Sequence, residues 1–362
     1  MSEPSNLKHI DRAQLAGLVE ALAGAGTAVI APALRHDARG TVGYRTVTTM
    51  ADVVLDKRPD NALKSFFLPP TEPLLHYERQ GKDVTLTPVD PSIGPRVVLG
   101  ALPCDAAGLP IVDRVMDWDY RDEPWFGRRD ATTVIALACD KADSACFCTG
   151  VGLAPDGASG SDLLLVPAGD GFLVEVYSDK GQALVDLHPA FFGEPRDQEQ
   201  AQAFRAGLGA ALSHADGLDP AAARAWIEGH FIDPAWPALA LSCHGCGACA
   251  MVCPTCHCFD IVDEQEGVAK GTRRRNQDYC QYGLFTLHGA GHNPRGDQGA
   301  RIRQRVSHKF AIYPDRFDAI LCTGCGRCSR ACAAGIDMFE VVERLAGLQA
   351  DIDEETPTGG DL

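Results

Sequence analysis

Two cysteine runs near the C-terminal end carry the strongest chemical signal in this chain. The first is Cys243, Cys246, Cys249 and Cys253, followed by Pro254; the second is Cys322, Cys325, Cys328 and Cys332, followed by Ala333 where the first has proline. Both read C-x2-C-x2-C-x3-C, a spacing whose tight turns wrap three thiolates around one 4Fe-4S cubane and point the fourth elsewhere. Structural zinc also uses C-x2-C pairs, but two pairs suffice for it. The third and fourth cysteines and the proline would then have no reason to occur together. Disulfides fit less well still. Residues 1–13 carry charges and no apolar signal-peptide run, so the 15 thiols are expected in a reducing, cytoplasmic setting.

In two-cluster ferredoxins the fourth cysteine of each run ligates the other cluster. Cys243, Cys246, Cys249 and Cys332 are therefore expected to hold one 4Fe-4S cluster, and Cys322, Cys325, Cys328 and Cys253 the second. Four more cysteines lie earlier: Cys104 and Cys139, each after an expected strand, and the pair Cys146 and Cys148. Strand ends in an open α/β sheet are where ligands gather. Four sulfurs match a cubane, yet their spacing matches no local fingerprint, so buried structural cysteines and a zinc site stay open beside it. Cys256, Cys258 and Cys280 remain without a role. Three sulfurs cannot complete an all-cysteine cubane, although a histidine such as His288 or His292 could supply a fourth donor.

The scaffold that must position these residues is ample. With 362 residues, 45% hydrophobic and 23% charged, the chain can build two or three domains with real cores. No stretch approaches the roughly 18 apolar residues that span a bilayer, so direct membrane insertion is not expected. A formal net charge of -16 excludes a general nucleic-acid binder, which needs a basic surface. Residues 8–24 read as an amphipathic helix with Leu15, Leu18, Val19 and Leu22 on one face. Apolar runs at residues 28–32, 96–100 and 133–137 suit buried strands, and residues 163–166 and 172–176 suit a hairpin.

The predicted architecture is an α/β N-terminal domain (residues 1–190), then a helical connector (191–237), then an α+β two-cluster ferredoxin-like domain (238–349). That last domain carries a long insertion, residues 259–320, and residues 350–362 form a disordered tail. The connector, with Phe204, Leu208, Leu212, Trp226 and Ile227, is expected as two helices broken near residues 217–220 and packed on the first domain. Within the insertion, Lys270, Arg273, Arg274, Arg275, Arg295, Arg301, Arg303, Arg305 and Lys309 face few acids. They are read as neighbours of anionic clusters, as a docking surface for an acidic partner or phosphates, or as a solvated face.

Ordered motifs add a resemblance. Gly100-Ala101-Leu102-Pro103-Cys104-Asp105, Cys146-Phe147-Cys148, Cys253-Pro254-Thr255-Cys256-His257-Cys258-Phe259-Asp260, Gly291-His292-Asn293-Pro294-Arg295, Arg301-Ile302-Arg303-Gln304-Arg305, His308-Lys309-Phe310 and Cys322-Thr323-Gly324-Cys325-Gly326-Arg327-Cys328 follow one another in that order. Together, over roughly residues 60 to 345, they resemble the iron-sulfur family that includes the 4Fe-4S dicluster subunit of anaerobic sulfite reductase and the sulfhydrogenase beta subunit. The resemblance implies the ferredoxin ligands above and favours Cys104, Cys139, Cys146 and Cys148 as ligands of a third 4Fe-4S cluster. Ala333 departs from the family's proline, which should alter a turn and leave ligation intact.

The implied function is electron transfer within a soluble multi-subunit oxidoreductase. The partners implied are a catalytic subunit of hydrogenase or sulfite-reductase type, together with a flavin/NAD(P)-binding reductase subunit. Gly150-Val151-Gly152 lacks the third glycine and the preceding strand of a dinucleotide fingerprint, so flavin and nicotinamide are expected on a partner. Two other functions compete: a cluster-dependent reductase with its site in the basic insertion beside Cys280, and a zinc-stabilised interaction scaffold.

Overall fold

The apolar runs bounded by Gly, Pro and Asp fold into one buried sheet. In the computed structural model, which describes residues 3–35, 37, 40–91 and 93–355, this sheet has seven strands. They are β1 (Asn6–Asp11), β2 (Ala28–Leu34), β3 (Val42–Val47), β6 (Arg96–Ala101), β7 (Thr132–Leu137), β8 (Leu163–Ala168) and β9 (Gly171–Val176). The spatial order is β1-β9-β8-β7-β6-β2-β3. Strands β2, β6, β7 and β8 run parallel in the middle, with antiparallel partners at both ends. Both faces are covered, which is why these strands read as continuous apolar runs rather than alternating ones. Val97, Leu99, Ile135 and Leu137 join one core with helix Arg12–Gly24. Val98, Val134 and Ala136 join the other with Leu109, Val112 and Met116 of helix Pro103–Met116.

Residues 8–11, expected as the first turn of a helix, are instead the end of β1. Asp11 ends the strand and starts the helix: its side chain accepts from the Gln14 amide at 2.7 Å, and the Gln14 side chain accepts from the Asp11 amide at 2.9 Å. This reciprocal cap satisfies two amides that the helix cannot.

A second sheet has the order β10-β11-β4-β5, built from β4 (Thr71–Gln80), β5 (Asp83–Pro88), β10 (Phe259–Gln265) and β11 (Lys270–Gln277). The long insertion therefore shares a sheet with residues 71–88, close to 200 positions earlier. The alternation Val84, Thr85, Leu86, Thr87 after the Gly81 turn was the available signal for β5. Arg275, buried on β11, donates to Glu72 of β4 at 2.7 Å and also pairs with Asp122, while Arg128 takes the other Glu72 oxygen at 2.7 Å. On the exposed side Arg273 and Arg274 pair with Asp263 and Glu264 of β10 at 2.8 and 2.7 Å. Acids within the hairpin thus meet Arg273 and Arg274, and acids outside it meet Arg275.

The connector divides its packing. Helix Gln198–Gly207 lays Ala201 and Phe204 on the first sheet, whereas Trp226 and Ile227 of helix Pro220–Gly229 join the core around Val341, Val342 and Leu345. Those last residues belong to helix Met338–Glu355, so residues 350–355, expected as disordered, are helical. No Gly or Pro lies between Gly347 and Pro357, so nothing stops the helix before Glu355. Residues 356–362 lie outside the described residues. Among the described residues no helix is long and apolar enough to cross a membrane.

One buried ion pair joins the first sheet to the second cysteine run. Arg327 donates both terminal nitrogens to Asp105 at 2.6 and 2.6 Å and its Nε to the Pro59 carbonyl at 3.1 Å. The Tyr44 hydroxyl donates to Asp105 at 2.7 Å and accepts from the Leu102 amide at 3.0 Å. The two charged side chains are 2% and 0% exposed, so neither has water to fall back on. Replacing Asp105 by alanine leaves a buried guanidinium uncompensated, at a cost of about 3–5 kcal/mol. The expected outcome is a markedly lower urea midpoint for Asp105→Ala, with the apolar double variant Asp105→Leu/Arg327→Met recovering most of it. Equal midpoints for wild type and Asp105→Ala would contradict this.

Candidate metal centres

Each cysteine run is bent by glycines in the left-handed region, where an L side chain is strained. Gly324 (φ +59) and Gly326 (φ +67) are also pinned from outside: a Cβ at 324 would lie 2.4 Å from the Phe147 carbonyl, and one at 326 would lie 2.3 Å from the Ala145 carbonyl oxygen. The Phe147 amide donates to the Gly324 carbonyl at 2.8 Å. Loop residues 145–148 of the first domain thus press directly on the loop that carries Cys325.

Three cavities that share walls lie between these elements. The first, about 620 Å³, is lined by Cys243, Cys246, Cys249 and Cys332, with Cys328 on its inner wall. The second, about 310 Å³, is lined by Cys253, Cys322, Cys325 and Cys328, with Phe147 and Thr323. The third, about 250 Å³, holds Cys256, Cys258 and Cys280 with His257 and His308. Arg305 lines all three, and Lys309 lines the second and third. Among the described residues, no three cysteine or histidine donors in these cavities lie within 4.8 Å of one another. Donors around a single zinc ion, with Zn–S bonds of about 2.3 Å, would sit about 3.8 Å apart.

The cations come from an irregular helix. Helix Gln298–Ser307 passes into a π turn at His308–Ile312, ahead of Pro314, which has no N–H to extend the α ladder. The Lys309 carbonyl accepts instead from the Leu321 amide at 3.0 Å. Lys309 Nζ donates to Cys253 Sγ at 3.3 Å, to Thr255 Oγ1 at 3.0 Å and to the Leu321 carbonyl at 2.8 Å. Lys64, in the short helix Lys64–Phe67, donates to the Ala250 carbonyl at 3.2 Å and lies over the Tyr279 ring. Lys64, Arg305 and Lys309 are 4%, 7% and 2% exposed, and among the described residues none of them meets a carboxylate. Buried charges of one sign need a counter-charge. Here the neighbours are sulfurs.

The titration of these groups follows from that arrangement. Burial opposes the charge of Lys309, but Cys253, Cys256 and Cys322 more than offset it and its pKa rises. Burial likewise opposes Arg305, and Cys249, Cys328, Cys256 and Cys253 raise it. Cys253 is held well below the usual thiol range by a hydrogen bond from Cys256 and then by Lys309 and Arg305. That favours the thiolate, the form that binds metal. Arg305 Nε and Thr323 Oγ1 are buried donors with no partner among the described residues. Unused donors aimed at a thiol-lined cavity fit a group rich in sulfide acceptors.

The N-terminal cysteines form a further group. Cys104 lies in the first turn of helix Pro103–Met116, immediately after β6, and Cys139 lies just after β7. Burial is the largest cause of a raised pKa at Cys104, Cys139 and Cys148, which reaches about 12 at Cys148. Cys139 raises Cys104, Cys146 raises Cys139, and both raise Cys148, so the four sit within electrostatic reach. Cys325 also raises Cys104, which sets this group beside the second cavity. Arg58 and Arg330 each approach Cys146 Sγ at 3.7 Å. Sequence reasoning did not single out Arg58 or Lys64; a lone lysine inside the apolar run Ala62, Leu63, Phe66, Phe67 was the available sign.

Comparison with known proteins bears on this arrangement. Residues 242–336 match the family model of a 4Fe-4S dicluster domain. The chain is 29% identical over 323 residues to sulfhydrogenase 2 subunit beta of Pyrococcus furiosus, covering 86% of this chain and 90% of that relative. No solved structure matches. The matched segment contains both cysteine runs and most of the residues that line the three cavities, and the chain is similar to iron-sulfur proteins that carry two 4Fe-4S clusters in such a domain.

Proposed function

We propose that the chain is the electron-transfer subunit of a hydrogenase-type multi-subunit oxidoreductase, relaying electrons between a flavin/NAD(P)-binding partner and a catalytic subunit. The relative's printed name supplies the hydrogenase setting. The observation that carries the reading lies in this chain: two buried cations, Arg305 and Lys309, with no carboxylate partner among the described residues, line thiol-lined cavities that share walls. Anionic clusters bound there would supply one-electron storage at adjacent stations.

In this reading Cys243, Cys246, Cys249 and Cys332 hold one cluster and Cys253, Cys322, Cys325 and Cys328 the other. Cys104, Cys139, Cys146 and Cys148 hold a third, whose position against Cys325 would make it the next station. The residues of the chain do the rest. Lys309 donates a hydrogen bond to Cys253 Sγ, and Lys309 and Arg305 bring positive charge to the sulfurs, which favours the reduced state. Ile302, Val306, Met338 and Val341 line the first cavity and Phe147 and Met338 the second, giving the clusters an apolar wall. Arg273 and Arg274, already paired on their hairpin, are left out of the relay.

Three measurements check this. Cys246→Ser and Cys253→Ser should each disturb a different paramagnetic signal, because the two sulfurs line different cavities; loss of the same signal in both would break the crossed assignment. Cys148→Ser should remove about four irons per chain if the third cluster is present, and an unchanged iron content would return those cysteines to the core. Lys309→Met should lower the midpoint potential of the cluster at Cys253 by on the order of 100 mV, the Coulomb energy of one charge several ångströms away at an effective dielectric of about 20. An unchanged potential would mean that Lys309 only packs.

A further inference from the structure

The third cavity is not used by any of these clusters, yet it is built like the second. It is of similar size, about 250 Å³ against about 310 Å³, and shares Arg305 and Lys309 with it. Its cysteines come from two places that the β10–β11 hairpin brings together. The hairpin pairs Phe259 with Gln277, so Cys258 and Cys280 flank its open end, and the Asp278 amide donates to the Cys258 carbonyl at 3.2 Å. Cys256 lies two residues before Cys258, with His257 between them. Cys256 and Cys280 are buried.

His257 carries the mark of a ligand in waiting. Its Nδ1 lies 2.9 Å from the Thr255 carbonyl, which can only accept, so Nδ1 holds the proton and Nε2 keeps its lone pair. A backbone carbonyl on one ring nitrogen is the usual way a metal-binding imidazole is oriented. The His308 ring packs edge-on against it, with centroids 5.5 Å apart. Arg305 and Lys309, both buried, line the cavity, and Lys64 lies over the ring of Tyr279 next to Cys280, so positive charge surrounds the sulfurs. Among the described residues no three of its cysteine and histidine donors lie within 4.8 Å of one another, as noted for all three cavities.

We propose that Cys256, Cys258, Cys280 and the imidazole of His257 form a binding site for a further 4Fe-4S cluster, held by three thiolates and one nitrogen, next to the cluster at Cys253. The site rests on the reading of the chain as an iron-sulfur protein and extends its relay into the insertion. It also gives the insertion a purpose: the second sheet, anchored on Glu72 and Asp122 by Arg275, holds the hairpin whose open end carries two of the ligands.

The test uses the full chain, reconstituted anaerobically with ferrous iron and sulfide. Iron and acid-labile sulfide are counted per chain, and pulsed EPR of the reduced protein is recorded with natural and with 15N-labelled histidine. The expected result is that Cys280→Ala contains about four irons fewer than wild type, with the signals of the ferredoxin-type clusters retained. A histidine nitrogen coupling should be present in wild type, change with the label, and vanish in His257→Ala while persisting in His308→Ala. Equal iron in wild type and Cys280→Ala, or one zinc per chain retained in place of the lost iron, would overturn the site. Should Cys280→Ala fail to fold, the labelled wild type decides alone: absence of any histidine coupling overturns the proposed ligand set. A chain that binds no iron at all fails the functional reading, whereas ferredoxin-type clusters with this cavity empty fail only the further site.

Discussion

The structure depends on the Arg327–Asp105 pair more than on any other single contact. Asp105 follows Cys104 and Arg327 precedes Cys328, so one buried ion pair sets the distance between the N-terminal cysteines and the second run. The contact of loop 145–148 with Gly324 and Gly326 then closes the space from the other side. Two further ties come from helix Pro103–Met116, whose Ile111 carbonyl accepts from the Tyr313 hydroxyl and whose Arg114 donates to the Phe317 carbonyl, both at 2.5 Å. These contacts join the first sheet to the segment that carries the π turn. A shift of either half would therefore move cysteines and cations together.

Charge explains why that rigidity is needed. Lys64, Arg305 and Lys309 are buried together, and like charges held at short range in a medium of low dielectric repel strongly. They persist because sulfurs surround them and because carbonyls of Ala250, Cys249 and Leu321 accept hydrogen bonds from them. The same arrangement serves the chemistry, since hydrogen bonds and charge near the sulfurs set cluster potentials. The acidic surface implied by the overall net charge of -16 is thus the inverse of the interior.

What could be read from the sequence was what depends on local spacing. The two cysteine runs, the parallel-strand runs and the hairpin at residues 163–176 each carry their signal within a few residues. Cys104 and Cys139 were legible as strand-end residues because β6 and β7 are strongly apolar. The grouping of Cys256, Cys258 and Cys280 was not, because it depends on β10 and β11 folding back and on β4 receiving them from far along the chain. The arginines of the insertion misled for the same reason: Arg275 finds Glu72 and Asp122, which no local window contains. The start of the first helix was missed on capping, since the Asp11 and Gln14 pair ends a strand as firmly as it begins a helix.

The proposed relay runs without a gap from the N-terminal cysteines through the cavities at Cys253 and Cys243. Magnetic interaction between reduced clusters tests it most directly. EPR of the fully reduced protein should show spectra broadened and split by coupling between neighbours, and these should simplify in Cys148→Ser as the first station is removed. A spectrum equal to the sum of isolated, non-interacting clusters, unchanged by that substitution, would contradict the relay.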